Sequence, residues 1–406
     1  MAAKIVRQAN RIALLGSPTS AAALAPGHEA GPSALRAAGL VSKLQAIGYE
    51  VADLGDDPVQ IFRPDEETPR ARNLSGVVAA LEALKPRVEH AVKSAALPLI
   101  LGGDCSIALA TVAGLHRYFR NVALIYMDRD ADLNTPATTR TGSLDGMVVS
   151  HLTGRGAAEL VRFGGEPPLV REPDLAIFGV DRLEPAEEEL LSRLPLRRYL
   201  ATDVQRMGAA AAAQLAVERI HGGTSEFVLH LDVDVIADFQ ATDYPGSAGL
   251  SLDDVRAALE VFAVQKHLAA IEVAGYHPGK DADGSGASTI LDLLQEALKA
   301  RLAALQGGAS VSAPGPVATS PAPAPADSHP SDSHPPDAAG TNSQEAVETT
   351  PQAAAVSAPG QESPAVPAQS WSSESLHNPD ADSSHQATDA VSADPDLPGR
   401  TDESSS

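Results

Sequence analysis

The stretch VALIYMDRDADLNTP, residues 122–136, decides the fold class. It opens with the apolar run VALIYM, which has the length and composition expected of a strand that helices cover on both faces. Three aspartates follow at alternate positions, Asp128, Asp130 and Asp132. Alternate side chains of an extended chain project to one side, and a tight turn could instead gather them around one point. The stretch therefore predicts a buried strand that ends in an acidic site.

Short apolar runs of the same kind extend in both directions from this stretch. Strands are predicted at residues 11–16, 50–54, 98–103, 122–128, 175–180, 227–232 and 269–276. Segments of helical period lie between them, at residues 33–47, 76–95, 106–118, 204–220, 252–265 and 287–306. This alternation predicts an α/β fold with a mostly parallel sheet and helices on both faces. In such folds ligands bind beyond the carboxyl ends of the strands.

Two further predicted strands end in polar runs, LGGDCS at residues 101–106 and HLDVD at residues 230–234. Asp232 and Asp234 repeat the alternate spacing. Carboxylates gathered at one sheet edge repel each other, and some must stay protonated unless cations neutralise them. A single aspartate at a strand end is more often a turn former or a helix cap. Two alternating runs instead favour a site for Mn²⁺ or Mg²⁺, in which bridging carboxylates could hold two ions about 3.5–4 Å apart and activate a water as hydroxide.

Composition divides the 406 residues into two parts. Residues 307–406 contain fourteen acidic side chains, one base, fifteen prolines and one aromatic residue, Trp371. This composition buries too little apolar surface to offset the entropy cost of ordering the chain. We therefore predict a folded domain at residues 1–306 and a disordered acidic tail rich in Pro, Ser and Ala at residues 307–406.

The remaining features exclude several classes of protein. The formal charge of −23 and the lack of a Lys/Arg cluster argue against nucleic-acid binding. No apolar run approaches the roughly 18 residues that span a bilayer, so no membrane partner is expected. The start of the sequence lacks the pattern of a secretory signal, and Cys105 is the single cysteine. These features predict a cytoplasmic protein that acts on a small molecule.

Several motifs in the right order carry a family resemblance. Residues 16–40, GSPTSAAALAPGHEAGPSALRAAGL, look like the family's first strand, loop and helix, and LGGDCS resembles its Gly-Gly-Asp-His-Ser run. Residues 128–147 resemble its Asp-Ala-His-x-Asp-x-Asn-Thr-Pro segment with the Ser-Gly-Asn-x-His-Gly continuation, and residues 230–238 resemble its Ser-x-Asp-x-Asp-x-x-Asp run. The chain thus resembles the ureohydrolase superfamily, which contains arginases, agmatinases and formimidoylglutamases. The resemblance covers residues 11–306 and implies a three-layer α/β/α sandwich.

The resemblance implies a centre of two Mn²⁺ ions and a homo-oligomer, a trimer or a hexamer. Four positions keep the identity of family metal ligands: Asp128, Asp132, Asp232 and Asp234. Cys105 and Asp130 fall where the family has its two histidine ligands. A thiolate and an added carboxylate can also bind metal, so both residues belong to the predicted ligand set. With aspartate in place of histidine, the site is more anionic and harder.

A third family histidine, which shuttles protons, is replaced by Asp145. An aspartate with a pKa near 4 shuttles protons poorly at neutral pH unless its surroundings raise that pKa. Asp145 is nevertheless the leading candidate for the catalytic acid, and His151 is the second. His230, which precedes the Asp232 run, could also substitute, although either histidine could simply be packed in the core.

The resemblance also indicates residues for substrate binding. Asn134 and Thr139 match positions that contact the substrate's amino-acid end in arginases, and Glu184 lies near a family acid that meets the substrate amine. The run IEVAGYHPGKD, residues 271–281, resembles the family's last strand, where an acid binds the guanidinium group. Aligning the prolines puts Gly275 at that position, so Glu272, three residues upstream, is the candidate acid.

Two functions are consistent with these observations. The first is a metal-dependent hydrolase that cleaves a C–N bond of a linear guanidine or amidine through a metal-bridging hydroxide. The second is a ureohydrolase-fold protein that has lost catalysis and persists as a binding or scaffold protein. The retained aspartates favour the first function, and the three replaced histidines favour the second.

Overall fold

The computed structural model describes residues 7–220 and 226–307. Eight strands in these residues form one sheet, in which every neighbouring pair is parallel. They are β1 (Arg11–Ser17), β2 (Glu50–Asp56), β3 (Leu97–Gly102), β4 (Val122–Met127), β5 (Leu175–Val180), β6 (Arg197–Leu200), β7 (Glu226–Asp232) and β8 (Leu268–Ala274). The strand order is β2-β1-β3-β8-β7-β4-β5-β6. The predicted α/β architecture is confirmed.

Helices cover both faces of this sheet. The helices are α1 (Gly31–Ala37), α2 (Leu40–Ala46), α3 (Leu74–Lys93), α4 (Ile107–Leu115), α5 (Val148–Leu152), α6 (Ala158–Val161), α7 (Pro185–Arg193), α8 (Ala201–Met207), α9 (Ala209–Ile220), α10 (Leu252–Ala263) and α11 (Ser285–Gly307). One apolar layer packs the sheet against α1, α2 and α8 to α11, and the other packs it against α3 to α7. No helix in the described part of the chain is long and apolar enough to cross a membrane.

The central strands are apolar at almost every position because their side chains pack alternately into the two apolar layers. Along β4, Ile125 and Met127 pack into one layer, whereas Leu124 and Tyr126 pack into the other. Strands β3, β4, β5 and β8 are buried at every position. The edge strands β2 and β6 are partly exposed, as their charged residues require.

The structure differs from the sequence-based prediction in several elements. The predicted helix at residues 33–47 is two helices, because Gly39 adopts φ +97°, a left-handed conformation that ends a helix. The predicted helix at residues 204–220 is likewise divided at Gly208, between α8 and α9. Strand β6 and helices α5, α6 and α7 were not predicted. They are short elements without a sustained apolar period, and β6 begins with two exposed arginines.

Strand order determines where the polar runs meet. Strands β3, β8, β7 and β4 are consecutive neighbours, and all run in the same direction. Their carboxyl ends carry Cys105, Gly275, Asp232 and Asp128, so these positions converge at one edge of the sheet. The predicted tail begins at residue 307, where α11 ends, and the rest of it lies outside the described residues. The domain boundary at residue 306 therefore stays a prediction.

Candidate metal centre

A cavity of about 20 Å³ lies where these strand ends converge. That volume accommodates roughly one water molecule or one ion. Its wall is mainly anionic: the lining residues are His28, Cys105, Asp128, Asp130, Asp132, Asp145, Asp232, Asp234, Thr242, Tyr244 and Gly275. All six aspartates that the sequence assigns to the site, together with Cys105, are thus brought together.

Asp128, Asp232 and Asp234 form the tightest group of carboxylates in this wall. Each offers an oxygen that lies within 4.8 Å of the others, and all three side chains are buried. Burial and repulsion from neighbouring carboxylates raise the pKa values of Asp128 and Asp232 well above the usual range, and burial raises that of Asp234 to about 6. The negative charges of this group are therefore not balanced by nearby positive charge, as expected of a cation site.

Cys105 and His230 form a second group with Asp128. One ligand atom from each of the three buried residues lies within 4.8 Å of the others. The Cys105 Sγ is 2.8 Å from Asp232 Oδ2 and 4.0 Å from Asp128 Oδ2. Burial and the neighbouring carboxylates raise the pKa of the Cys105 thiol, so without a metal it stays protonated and donates to Asp232.

Asp130 and Asp132 have other partners in the structure. Arg182 forms a two-point ion pair with Asp130, and its Nη2 lies 3.7 Å from Asp234 Oδ2. Its guanidinium also stacks over the ring of Tyr244, 4.7 Å from the centroid. Asp132 accepts a hydrogen bond from the hydroxyl of Tyr126. Neither aspartate belongs to the two metal-compatible groups found among the described residues.

Asp145 lies at the boundary between this cavity and a larger one. Its Oδ1 accepts a hydrogen bond of 2.8 Å from the backbone amide of Cys105. Burial, and then repulsion from Asp104, raise its pKa to about 8. The surroundings of Asp145 therefore raise its pKa enough for the role of a catalytic acid. A carboxyl group with this pKa is protonated at neutral pH and can donate a proton.

Two histidines have positions that the sequence did not indicate. His151, the second candidate acid, is fully buried on α5, where its Nε2 accepts a hydrogen bond of 3.1 Å from the amide of Ala157, and it lines neither cavity. His28 was not named, yet it lines the inner cavity, and neither ring nitrogen has a hydrogen-bond partner among the described residues. Burial lowers its pKa to about 4, so its imidazole is neutral. Its place after the carboxyl end of β1 was the signal available in the sequence.

An outer pocket of about 310 Å³ adjoins the inner cavity. The two share Asp130, Asp132, Asp145 and Tyr244. The outer pocket brings together three predicted substrate-binding residues, Asn134, Thr139 and Glu184. Asn134 Nδ2 donates a long hydrogen bond of 3.4 Å to Glu184 Oε2, and Arg140 Nε lies 3.4 Å from Glu184 Oε1. Acidic and basic groups therefore face the same space.

Glu272, the fourth predicted substrate-binding residue, lies elsewhere. It is fully buried in β8, where its Oε2 is 2.9 Å from His230 Nδ1, and it lines neither cavity. Gly275, which the motif resemblance puts at the position of the family acid, lines the inner cavity with φ +77°. A Cβ atom at Gly275 would lie 2.3 Å from Asp232 Oδ1, so the carboxylate occupies the space that a side chain would need.

The sequence profile of the arginase family matches residues 10–299. The chain belongs to the arginase family. Arginase from Brevibacillus brevis is 30% identical over 285 residues, which cover 70% of this chain and 96% of that protein. Arginase from Bacillus caldovelox is 29% identical over 287 residues, again covering 70% of this chain and 96% of that protein. The resemblance inferred from the motifs is confirmed.

Solved structures of the arginase family share this fold. The structure of arginase from Bacillus caldovelox matches with a TM-score of 0.66 at 27% identity, covering 71% of this chain and 98% of that one. Formimidoylglutamase from Bacillus subtilis matches with a TM-score of 0.59 at 19% identity, over 74% of this chain and 89% of that one, and this likeness concerns the fold alone.

Proposed function

We propose that this arginase-family protein is a metal-dependent hydrolase that cleaves a C–N bond of a linear guanidine or amidine. The observation that carries the proposal is the convergence of Asp128, Asp232 and Asp234 within 4.8 Å at the carboxyl ends of adjacent strands. Buried carboxylates without a cation are costly, and their raised pKa values report that cost. The proposal therefore rests on the site's own chemistry together with family membership.

The donor set fits divalent cations. Carboxylate oxygens suit Mn²⁺ and Mg²⁺, and Asp128 is common to both metal-compatible groups, so it would help to hold either ion. A divalent ion held there would supply a Lewis acid and would lower the pKa of water toward neutrality. Mn²⁺ as the metal and two as the number of ions are parts of this proposal.

Asp145 is the proposed catalytic acid. It lines both the inner cavity and the outer pocket, so it lies between the carboxylate group and the space available to a substrate. Held protonated at neutral pH, it would donate its proton to the leaving amine and then accept one from water. His28 also lines the inner cavity, but its lowered pKa of about 4 makes its ring a poor proton acceptor at neutral pH, so Asp145 alone would carry the proton.

The outer pocket supports a substrate with both charges of an amino acid. Asn134, Thr139 and Glu184 offer polar contacts, and Arg140 adds a cation. A substrate ammonium would pair with Glu184, and a carboxylate would pair with Arg140. Because Gly275 supplies no acid for a guanidinium group, we propose a compound other than arginine, with a less strongly cationic reacting end.

The first experiment measures metal. Protein purified with Mn²⁺ as the only divalent metal is expected to bind two equivalents. Asp128→Asn is expected to lose both, because Asp128 belongs to both groups, and Asp234→Asn is expected to lose at least one, because Asp234 belongs to one of them. Asp253→Asn serves as the control because Asp253 is 92% exposed on α10. A parent protein that binds no divalent metal under these conditions would rule out the hydrolase proposal.

The second experiment measures product. Metal-loaded protein is incubated with a panel of guanidino and amidino compounds, and urea and ammonia are quantified. Asp145→Asn is expected to lower kcat by about 10²–10⁴-fold while metal content is kept, because it removes only the proton donor. If Asp145→Asn releases urea or ammonia as fast as the parent protein does, Asp145 is not the catalytic acid.

A binding or scaffold protein without catalysis is the second candidate. It is favoured by the ion pair of Arg182 with Asp130, which puts a fixed cation where the family has a metal-binding histidine. Metal binding without release of urea or ammonia from any compound of the panel would favour this candidate. A cytoplasmic location and a trimeric or hexameric assembly remain predictions, which fractionation and light scattering would test.

A further inference from the structure

Three buried side chains, two of which line the inner cavity, offer three different donor atoms close together. A sulfur of Cys105, an oxygen of Asp128 and a ring nitrogen of His230 lie within 4.8 Å of one another. Cys105 is 2% exposed, Asp128 3% and His230 not at all. A thiol, a carboxylate and an imidazole are together the donors that tetrahedral Zn²⁺ sites use. The cysteine alone would be no more than a buried thiol.

His230 is the independent observation that points to a ligand. Its Nδ1 is 2.9 Å from Glu272 Oε2, and its Nε2 has no hydrogen-bond partner among the described residues. A buried polar atom without a partner is unfavourable, so such atoms usually mark the place of a water or an ion. Tyr126 stacks on the ring, 4.4 Å between centroids and 4° between planes, and fixes its orientation.

Glu272 and His230 form the arrangement that supports metal-binding histidines. A ligating imidazole commonly gives its second nitrogen to a carboxylate, which sets the tautomer and the ring orientation. Here the pair arises from strand register, because His230 on β7 and Glu272 on β8 are direct neighbours. Nδ1 is held by Glu272, and Nε2 is left to bind. Glu272 therefore orients His230, a role different from the substrate contact predicted from the sequence.

Other residues expected to bind metal are already engaged. Arg182 pairs with Asp130, and Tyr126 donates to Asp132, so both carboxylates have hydrogen-bonded partners. An ion that shares Asp128 with the carboxylate group therefore finds its remaining buried donors at Cys105 and His230.

We propose that Cys105, Asp128 and His230 form a second metal site, which takes Zn²⁺ in preference to Mn²⁺ when both are present, with Glu272 as the residue that positions His230. The proposal rests on the proposed metal-dependent function, because the site shares Asp128 with the carboxylate group. Sulfur and nitrogen donors favour Zn²⁺, whereas the all-oxygen group of Asp128, Asp232 and Asp234 suits Mn²⁺ or Mg²⁺. On binding, the ion replaces the thiol proton of Cys105, which leaves to solvent, and no oxidant or reductant takes part.

Cobalt(II) tests the site, because it replaces Zn²⁺ and reports a thiolate ligand by a charge-transfer band in the near ultraviolet. The full-length protein is freed of metal and titrated with Co²⁺, and absorption and bound metal are both recorded. The parent is expected to show the band, and Zn²⁺ but not equimolar Mn²⁺ is expected to remove it. Cys105→Ser should abolish the band, and Glu272→Gln should keep it but weaken Co²⁺ binding about 10–100-fold.

His230→Gln should weaken Co²⁺ binding at least tenfold, and His151→Gln is its matched control, since both histidines are fully buried and carry one unpartnered ring nitrogen among the described residues. Circular dichroism melts identify any variant that does not fold, and Cys105→Ser, a change of one atom, carries the test if His230→Gln unfolds. Bound Co²⁺ without the band, or a band that persists in Cys105→Ser, would overturn this inference and leave the hydrolase proposal standing. A protein that binds neither Co²⁺ nor Mn²⁺ would overturn both.

Discussion

Asp130 determines which charge lies beside the carboxylate group. It pairs with Arg182, whose Nη2 is also 3.7 Å from Asp234 Oδ2. Two unit charges about 4 Å apart interact by roughly 4 kcal/mol at an effective dielectric constant near 20. Arg182 is partly exposed, so solvent screens much of this energy. The remainder competes with any cation held by Asp234.

We expect Arg182→Met to bind Mn²⁺ about tenfold more tightly than the parent, because a competing positive charge is removed. Isothermal titration of metal-free protein measures the dissociation constants. Arg140→Met is the control, since Arg140 lines the same outer pocket but is 80% exposed and pairs with Glu184. Equal or weaker Mn²⁺ binding by Arg182→Met would show that Arg182 does not compete with the ion.

Alanine substitutions at Gly275 and Gly284 distinguish the effect of backbone strain from the effect of crowding at the candidate metal site. Both have positive φ angles, +77° and +73°, but a Cβ atom would clash with Asp232 only at Gly275 and would meet nothing within 4 Å at Gly284. Both alanine variants should lose about 1–2 kcal/mol of unfolding free energy to strain. Gly275→Ala alone should also lose at least tenfold in Mn²⁺ affinity, measured by titration. A comparable loss of Mn²⁺ affinity in Gly284→Ala would show that backbone strain, and not the clash with Asp232, weakens Mn²⁺ binding.

At the scale of residues, some contacts could be predicted from the sequence and others could not. That Asp128, Asp232 and Asp234 converge follows from apolar parallel strands that end beside each other. The pairing of His230 with Glu272 depends on the register between β7 and β8, which is set by packing across the whole sheet. The ion pair between Arg182 and Asp130 joins residues 52 positions apart, one just after β4 and the other just after β5, in segments whose sequences show no periodicity.

Helix α7 links the outer pocket to the loop that follows β4. Its N-terminus has a capping box, in which Glu187 accepts a hydrogen bond of 2.9 Å from the amide of Glu184. Glu187 also accepts one of 2.9 Å from the amide of Leu133, next to Asp132 and Asn134. One buried carboxylate therefore holds the helix and the site loop together.

Glu187→Ala should lower the unfolding free energy by about 1–3 kcal/mol, because two amides lose their acceptor. Urea denaturation measures this loss. Glu188→Ala is the matched control, since Glu188 lies in the same first turn but is exposed, and a change within about 0.5 kcal/mol is expected for it. Similar losses in the two variants would mean that helix propensity, and not the link to Leu133, is responsible.

The long elements were predictable because their apolar period extends over several turns or a whole buried strand. Helix α3 and strands β4, β5 and β7 lie within a few residues of their predicted positions. Strand β6 was missed because it occupies an edge, where only Tyr199 is buried among its four residues. Helix α7 was missed because the run PAEEELLSR buries only Glu187 and Leu191, too few for a clear period.

Across the whole molecule, the buried carboxyl groups should make the metal-free protein sensitive to rising pH. Asp145 has a pKa of about 8, above the ordinary value near 3.9, so the folded state binds more protons than the unfolded state below that pH. Unfolding free energy therefore falls as pH rises through about 8, by at most about 1.4 kcal/mol per pH unit for each such group.

We expect the melting temperature in EDTA to fall by a few degrees between about pH 6.5 and about pH 8.5, and Mn²⁺ to stabilise the protein more at the higher pH. Asp145→Asn should flatten this dependence. The range avoids the buried histidines His28 and His151, whose pKa values of about 4 reduce stability only below about pH 6.5. A melting temperature that rises with pH in EDTA would contradict the raised pKa of Asp145.

The predicted tail should be dispensable for the folded domain. The apolar core of the described residues ends at Leu302, inside α11. Deleting residues 308–406 is therefore expected to leave the melting temperature within about 1 °C and the metal content unchanged. Calorimetry and metal analysis of the shortened chain are compared with the full chain. A large loss of stability would show that residues beyond 307 contribute to folding.

The position of β8 also governs when the sheet can be completed during synthesis. Strands β1 to β3 and strands β4 to β7 share no pairing except through β8, which is the last strand along the described chain and lies between them. The two halves of the sheet must therefore wait for residues 268–274 to leave the ribosome. At least 132 residues follow Ala274, and translating them takes on the order of ten seconds. The sheet, and with it the group of Asp128, Asp232 and Asp234 at its edge, can thus assemble while the nascent chain is still attached to the ribosome.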